Sequence, residues 1–445
     1  MKKIIMAGLF CGLTTIVTTN ALAENQPPAD DAIAKAETAM AGSEDTTAGE
    51  KAPTSIGDVF GLRSGYVHPF MSVAMLTSDN IYNAKDDEIG DWSTIYSPGI
   101  WLAVPRTKEA KLSVATSNTA PGGLSMFNEK TESFSRYQGF ASYGADIEEY
   151  NSHTERNTVK QAAEGFLQYN FRGGLSIDLI DKYIDSEDPL GTGDSTVIDA
   201  FKHNLVQVIA DYRITDKIRF RADYNNFHLN YDLNVSSGMD RDDNSYAGYL
   251  FYKYSPKTSA FINYQYVDVN YDTNTIQDNK QNQYKLGINW APTVKTKLIG
   301  LIGITDRSSD NTAGDTSAFT AQLTAAHQLT AKTSLQIVAA QQVSESTVST
   351  AAYSNDTTIS VSVREDFTLK IAGNLEVSYG RFNFHENTGA WSRTDHTYSF
   401  APSLRYMFKD WLMADLGYEY SERDSDNDAY DYNTNKIYVK VSAGF

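Results

Sequence analysis

The sequence predicts an all-β fold: a transmembrane antiparallel up-and-down β-barrel of about 18 strands, with 16 or 20 as the alternatives. Three observations carry this. Runs of period-2 alternation recur from Gly65 to the last residue, the pattern of strands with one apolar and one polar face. Short connectors such as Arg172-Gly173-Gly174 and Ser255-Pro256-Lys257 take turns with long ones rich in Asp, Asn, Ser and Gly, such as 186–196 and 421–432. Finally, Tyr 28, Phe 20 and Trp 5 form a heavy aromatic load on a chain of negative mean hydropathy. Beyond the N-terminus no stretch approaches the apolar run that a membrane-spanning helix needs.

Taken in chain order, residues 1–23 read as a signal peptide. Lys2 and Lys3 precede the apolar run from Ile4 to Val17, and Ala21-Leu22-Ala23 supplies a small-x-small cleavage site. Cys11, the single cysteine, lies inside this segment, so the mature chain is expected to have no thiol chemistry. Residues 24–60, with Pro27-Pro28, Asp30-Asp31 and Glu44-Asp45, read as a periplasmic linker, solvated or a short helical arm. A docking segment for a periplasmic partner is the alternative there. Residues 61–445 form the barrel.

Strand-like runs fall near 66–78, 93–105, 139–149, 157–171, 174–185, 200–213, 217–232, 244–254 and 258–271 in the first half. They continue near 282–290, 295–305, 317–328, 333–343, 357–369, 373–384, 396–408, 411–421 and 433–445. Both termini on the periplasmic side require an even number. The stretch 106–138 fits no strand pair and is expected to be an irregular periplasmic insertion; a strand at Lys111–Ala115 would need a partner from the same stretch and lead to twenty.

The last strand is the most informative. Ile437, Val439, Val441 and Ala443 alternate with Tyr438, Lys440, Ser442 and Gly444, and the chain stops on Phe445. Such an ending resembles the final strand of bacterial outer-membrane β-barrels, which the barrel assembly machinery reads. Ile437, Val439, Val441 and Phe445 are therefore the expected membrane-insertion signal, and the Gram-negative outer membrane, with its lipid and lipopolysaccharide, the expected location.

Opposite the lipid-facing sets lie the lumen candidates: Arg219, Arg221, Asp223, Lys285, Asn289, Arg405 and Lys440. Their mixed charge gives no strong ion preference. They either hydrate the lumen and pair with one another, or join Tyr faces in letting sugar rings slide. Two irregularities are expected. After Asn226 the apolar set of one strand moves to odd numbers (Phe227, Leu229, Tyr231), which implies a β-bulge at Asn225-Asn226 or emergence from the membrane. Pro402, unable to donate in mid-strand, implies a second bulge.

Several functions are disfavoured. The net charge of −18, deepened by two once Lys2 and Lys3 are cleaved, speaks against nucleic acid as a partner. Seven scattered histidines form no His-x-x-x-His pair, and no nucleophile elbow appears, so neither an enzyme nor a cofactor is expected. Asp424-Ser425-Asp426-Asn427-Asp428 opens like a calcium loop but has Ala429 and Asn435 where Gly and Glu are required. It reads as a solvated surface loop, and no metal is expected.

Two segments of the first hairpin narrow the class. Thr77-Ser78-Asp79-Asn80-Ile81-Tyr82 and Tyr96-Ser97-Pro98-Gly99-Ile100 resemble the N-terminal pattern of the β-barrel porin type 2 family, found in exopolysaccharide biosynthesis loci. The resemblance implies an integral barrel that serves as the outer-membrane exit for an exopolysaccharide and works with a periplasmic polysaccharide export protein. A general diffusion porin, or a structural or adhesive barrel without transport, is the competing reading. A purely local reading of the motifs also exists: Asp-Asn starts a loop, and Ser-Pro-Gly makes a turn or bulge.

Overall fold

The computed structural model describes residues 65–107, 114–124, 135–188, 199–232, 237–309, 315–346, 351–386 and 392–444. The segments expected to be a signal peptide (1–23) and a linker (24–60), and Phe445, lie outside them. Eighteen strands follow in order. They are β1 (Gly65–Ser78), β2 (Asp91–Thr107), β3 (Tyr137–Tyr150), β4 (Thr158–Asn170), β5 (Leu175–Asp188), β6 (Asp199–Arg213), β7 (Ile218–Tyr231), β8 (Arg241–Ser255) and β9 (Thr258–Tyr271). Then come β10 (Asn279–Thr293), β11 (Thr296–Ser309), β12 (Thr316–Gln328), β13 (Thr333–Glu345), β14 (Tyr353–Asp366), β15 (Ile371–His385), β16 (Ser392–Lys409), β17 (Leu412–Ser425) and β18 (Tyr432–Gly444). Each pairs antiparallel with its neighbour in sequence, and β18 returns to β1 from Phe70↔Gly444 to Ser78↔Lys436. The sheet is a closed barrel without an edge.

Alternation dictates the faces. In β18, Ile437, Val439 and Val441 are 45–49% exposed, whereas Lys440 and Ser442 are 4% and 2% exposed. In β10, Tyr284, Leu286, Ile288 and Trp290 all point outward. Outward aromatics gather at two levels. Tyr254, Phe367 and Phe408 sit beside the short turns, and Tyr224, Tyr246, Tyr264 and Tyr284 form a second row nearer mid-height on the adjacent strands β7 to β10, as the aromatic belts of a transmembrane barrel do. The rim with the short turns is the periplasmic one by the same rule.

The four register shifts, at Gly65/Val67, Lys253/Ser255, Trp290/Thr293 and Met407/Lys409, all lie at that periplasmic rim. None falls where the sequence led us to expect it. Register runs unbroken through Asn225↔Gln207 and Asn226↔Val206 on one side and Asn225↔Ser245 on the other. Phe227, Leu229 and Tyr231 therefore point into the lumen, where they are buried. Pro402 makes no bulge either. Its ladder to β17 merely skips two positions and resumes in register, from Phe400↔Tyr420 to Ser403↔Gly417. Ser97-Pro98-Gly99 is likewise no turn, because Pro98 and Gly99 pair with Met71 and Phe70 inside β2.

Asp79-Asn80 does start a loop, and it also seals the barrel. Asp79 accepts from the Asn435 backbone N–H and side-chain amide, both at 2.7 Å. Asn80 is fully buried. Its amide donates to the Ala84 carbonyl at 2.7 Å and to the Asn433 carbonyl at 3.0 Å. The two residues thus tie the first extracellular loop to the last strand across the closing seam. Asn80→Ala removes both of these part-buried hydrogen bonds, at a cost of about 0.5–1.5 kcal/mol each. We expect a lower unfolding temperature on heat-modifiability gels, with Asn83→Ala, in the same loop, as the milder comparison.

Candidate functional site: the lumen and the strap within it

Because β2 and β3 pair down to Val104↔Gly139, a few residues would suffice to join them. The chain instead uses residues 108–136. Of these, Val114–Leu124, called the strap below, lies inside the barrel rather than in the periplasm, correcting the expected periplasmic insertion. The physical reason is that the strap supplies apolar and hydrogen-bonding partners to a wall that would otherwise leave them unmet.

The strap is a hairpin with a tight tip. Thr116 bridges to Leu124, Ser117 N–H donates to the Gly123 carbonyl at 3.1 Å, and Gly123 N–H to the Ala120 carbonyl at 2.8 Å. The tip, Pro121-Gly122-Gly123, turns through φ +77° and +74° at its two glycines, a region that suits glycine. A Cβ on Gly123 would lie 2.1 Å from the Phe227 ring. Chain direction and wall contact both require glycine there.

Inward side chains of β4 to β9 hold the strap. Glu164 and Lys182, directly opposed on β4 and β5, grip one residue. The Val114 N–H donates to Glu164 Oε1 at 3.2 Å, and Lys182 Nζ donates to the Val114 carbonyl at 2.5 Å. The His203 ring lies between Thr116 Oγ1 (3.0 Å) and Asn118 Oδ1 (2.8 Å). Arg241 donates to the Asn118 carbonyl at 2.6 Å, and Gly122 N–H to Asp243 Oδ2 at 2.9 Å. Between these polar ties, the Val114 side chain packs with Phe166, Ile180, Leu205, Phe227 and Leu229 in an apolar core inside the lumen. Burying a valine side chain is worth about 1.5–3 kcal/mol.

Among the described residues the strap meets the opposite wall through one backbone hydrogen bond. Glu345, at the extracellular end of β13, donates its backbone N–H to the Thr119 carbonyl at 2.7 Å. Its buried carboxylate accepts from Tyr271 Oη and Gln281 Nε2, both at 2.8 Å, and lies 3.8 Å from Arg307. The connection beyond β13 folds in as well, with the Ala351 carbonyl 3.4 Å from Gln277 Nε2. Strap and connection together bridge the lumen in its extracellular half.

The candidate residues named from the sequence form three groups. Arg221 makes a two-point ion pair with Asp223 at 2.7 and 2.6 Å, while Arg219 lies 3.6 Å from Asp211 and over the Phe251 ring. Arg405 bonds Asp415 at 2.7 Å, and Lys440 is the register partner of Asp415 on the other side. Lys285 donates to Gln265 Oε1 at 3.2 Å, with half-buried Asn289 two residues further in the inward series. In each group the charges and amides meet one another rather than an open path. Asp424, Asp426 and Asp428 are exposed, and among the described residues no cluster could hold a metal ion.

Glu164, Lys182, His203, Arg241, Asp243 and Glu345 had escaped the sequence reading. One signal for them was present. An Ala-Pro-Gly-Gly turn in a stretch too long for its connection pairs with strands whose supposed wet face is apolar.

The family model described as "Putative beta-barrel porin 2" matches residues 131–445. The chain belongs to that family. It is an outer-membrane, porin-like β-barrel. The matched part starts after the first hairpin and the strap, so the two motifs quoted for the resemblance lie outside it. None of the curated proteins matches. Among solved structures, the outer membrane protein opdK from Pseudomonas aeruginosa is 8% identical, with a TM-score of 0.42, over 85% of this chain and 99% of that one. The siderophore receptor PirA from the same organism is 9% identical, with a TM-score of 0.40, over 86% and 81%. A bacterial polysaccharide outer membrane secretin is 8% identical, with a TM-score of 0.32, over 85% and 98%.

Proposed function

We propose that this barrel is the outer-membrane exit for an exopolysaccharide. The strap is the observation that carries the reading. A diffusion porin works with a standing aqueous channel, whereas this lumen is bridged by a segment rooted in the periplasmic connection between β2 and β3. A segment so rooted can be drawn aside from the periplasm, the side from which a polymer arrives. A wall of eighteen strands leaves room for a chain once it moves. A periplasmic polysaccharide export protein is the fitting partner at those roots, and residues 24–60 offer it a second contact. Cleavage after Ala23 and recognition of Ile437, Val439, Val441 and Phe445 by the barrel assembly machinery complete the route to the membrane. No catalytic role belongs to this reading.

Deleting the gene tests it. The cell should lose its surface polymer, while uptake of small solutes stays nearly unchanged. Normal polymer with reduced solute uptake would replace the exporter by a diffusion porin; no change in either would leave a structural barrel.

A further inference from the structure

The inward surface is not uniform around the barrel. On β4 to β9 it is packed against the strap and carries ion pairs. On β12 to β16 the inward side chains at mid-height are buried (Gln322, Thr324, Val338, Thr397) or half-buried (Ala340, Thr358, Ser360, Ser378, Ser399). Two adjacent registers cross these five strands at mid-height. The first runs Gln322, Ala340, Thr358, Gly380, Thr397, and the second Thr324, Val338, Ser360, Ser378, Ser399. Not one of these side chains is charged. Six carry hydroxyls.

The nearest charges in the neighbouring registers are carboxylates. Asp356 lies on the extracellular side and Glu376 on the periplasmic side, while Asp395 is held by Arg393 and by Arg423, the β17 partner of Thr397, at the far edge of the wall. At the edge of the wall, Gln322 Oε1 and Thr320 Oγ1 are more than nine-tenths buried, as is Thr305 Oγ1 on β11, and none has a hydrogen-bond partner among the described residues. A buried amide or hydroxyl left unpartnered costs free energy, which a small rearrangement that lets a sugar hydroxyl reach these atoms would recover.

We propose that this wall is the path of the polymer, and that the polymer is a neutral polyhydroxylated chain. The inference rests on the export reading above. Hydroxyl and amide side chains exchange hydrogen bonds with sugar hydroxyls much as water does, so successive residues slide past without a deep trap. An anionic chain gains nothing from this wall, because fixed cations are absent from both registers on β12 to β16 and the Asp356 and Glu376 carboxylates repel it.

Binding to the purified full-length protein in detergent, probed with maltoheptaose and with heptagalacturonate, tests the inference. Maltoheptaose should bind at least about tenfold more tightly, and Gln322→Leu with Thr320→Val should weaken it about threefold to tenfold, the worth of one or two net hydrogen bonds. The Ser360→Lys/Ser378→Lys variant should raise affinity for heptagalacturonate about tenfold and leave maltoheptaose nearly unchanged. Heat-modifiability confirms that each variant is folded. Equal or tighter binding of the anionic probe by the native chain overturns the proposal, and so does a failure of maltoheptaose to bind. If the deletion strain loses a surface polymer that proves anionic, export stands and neutrality falls.

Discussion

Replacing Val114–Leu124 with a short Gly-Ser linker should convert the barrel into a large, steady conductor in planar bilayers. We expect at least a tenfold rise over the native chain. The register of β2 with β3 allows the short connection, and the wall keeps its own ladder of hydrogen bonds, so the barrel should remain folded. What changes is the lumen. The bridge from Glu164 and Lys182 across to Glu345 disappears, and eighteen strands then enclose water. A Glu164→Ala/Lys182→Ala variant should lie between the two, with brief openings, since it frees the Val114 backbone but keeps its apolar contacts. Identical conductance of the native and strapless barrels, both shown folded, would mean that the strap does not close the pore.

Val439→Lys should instead damage assembly. Val439 is half exposed in the middle of β18 and points toward lipid. A lysine at the bilayer midplane of a barrel costs roughly 2–4 kcal/mol, less toward an interface, which is more than a tenfold change in the folded fraction near the transition. Urea titration of the purified barrel, together with the yield of heat-modifiable protein in membranes, measures this. Half-buried Ser360 makes a better inward control, as Ser360→Lys, than Ser442, which is 2% exposed. Equal losses for Val439→Lys and Ser360→Lys would contradict the assignment of faces.

The sequence could be read most fully wherever one face meets lipid. There the solvent is uniform and imposes strict alternation, so β10, β16 and β18 disclosed both faces and the count of eighteen. The inward face obeys no such rule, because its neighbour is whatever the chain places inside. Phe227, Leu229 and Tyr231 looked like a slipped register for that reason. Their apolar character answers Val114 and the strap tip rather than lipid. Pro402 misled in another way. A proline removes one donor, but in a wide ladder the neighbouring pairs hold the register, and no extra residue is needed. The strap itself was hidden because its anchors, Glu164, Lys182, Arg241 and Glu345, come from four strands far apart in sequence. Only closure of the barrel brings them to one place.

The seam between β1 and β18 also has a temporal side. It joins residues from opposite ends of the barrel, Phe70 with Gly444 and Ser78 with Lys436, so it is the least local pairing in the molecule. Loop-closure entropy disfavours such contacts until the intervening chain is organised, and folding dominated by distant pairings is slow. Before that moment two strands carry unpaired backbone groups, each a template for another copy of the same chain. The Asp79-Asn80 fastening can form only after the last strand is in place, which makes it a marker for completed assembly.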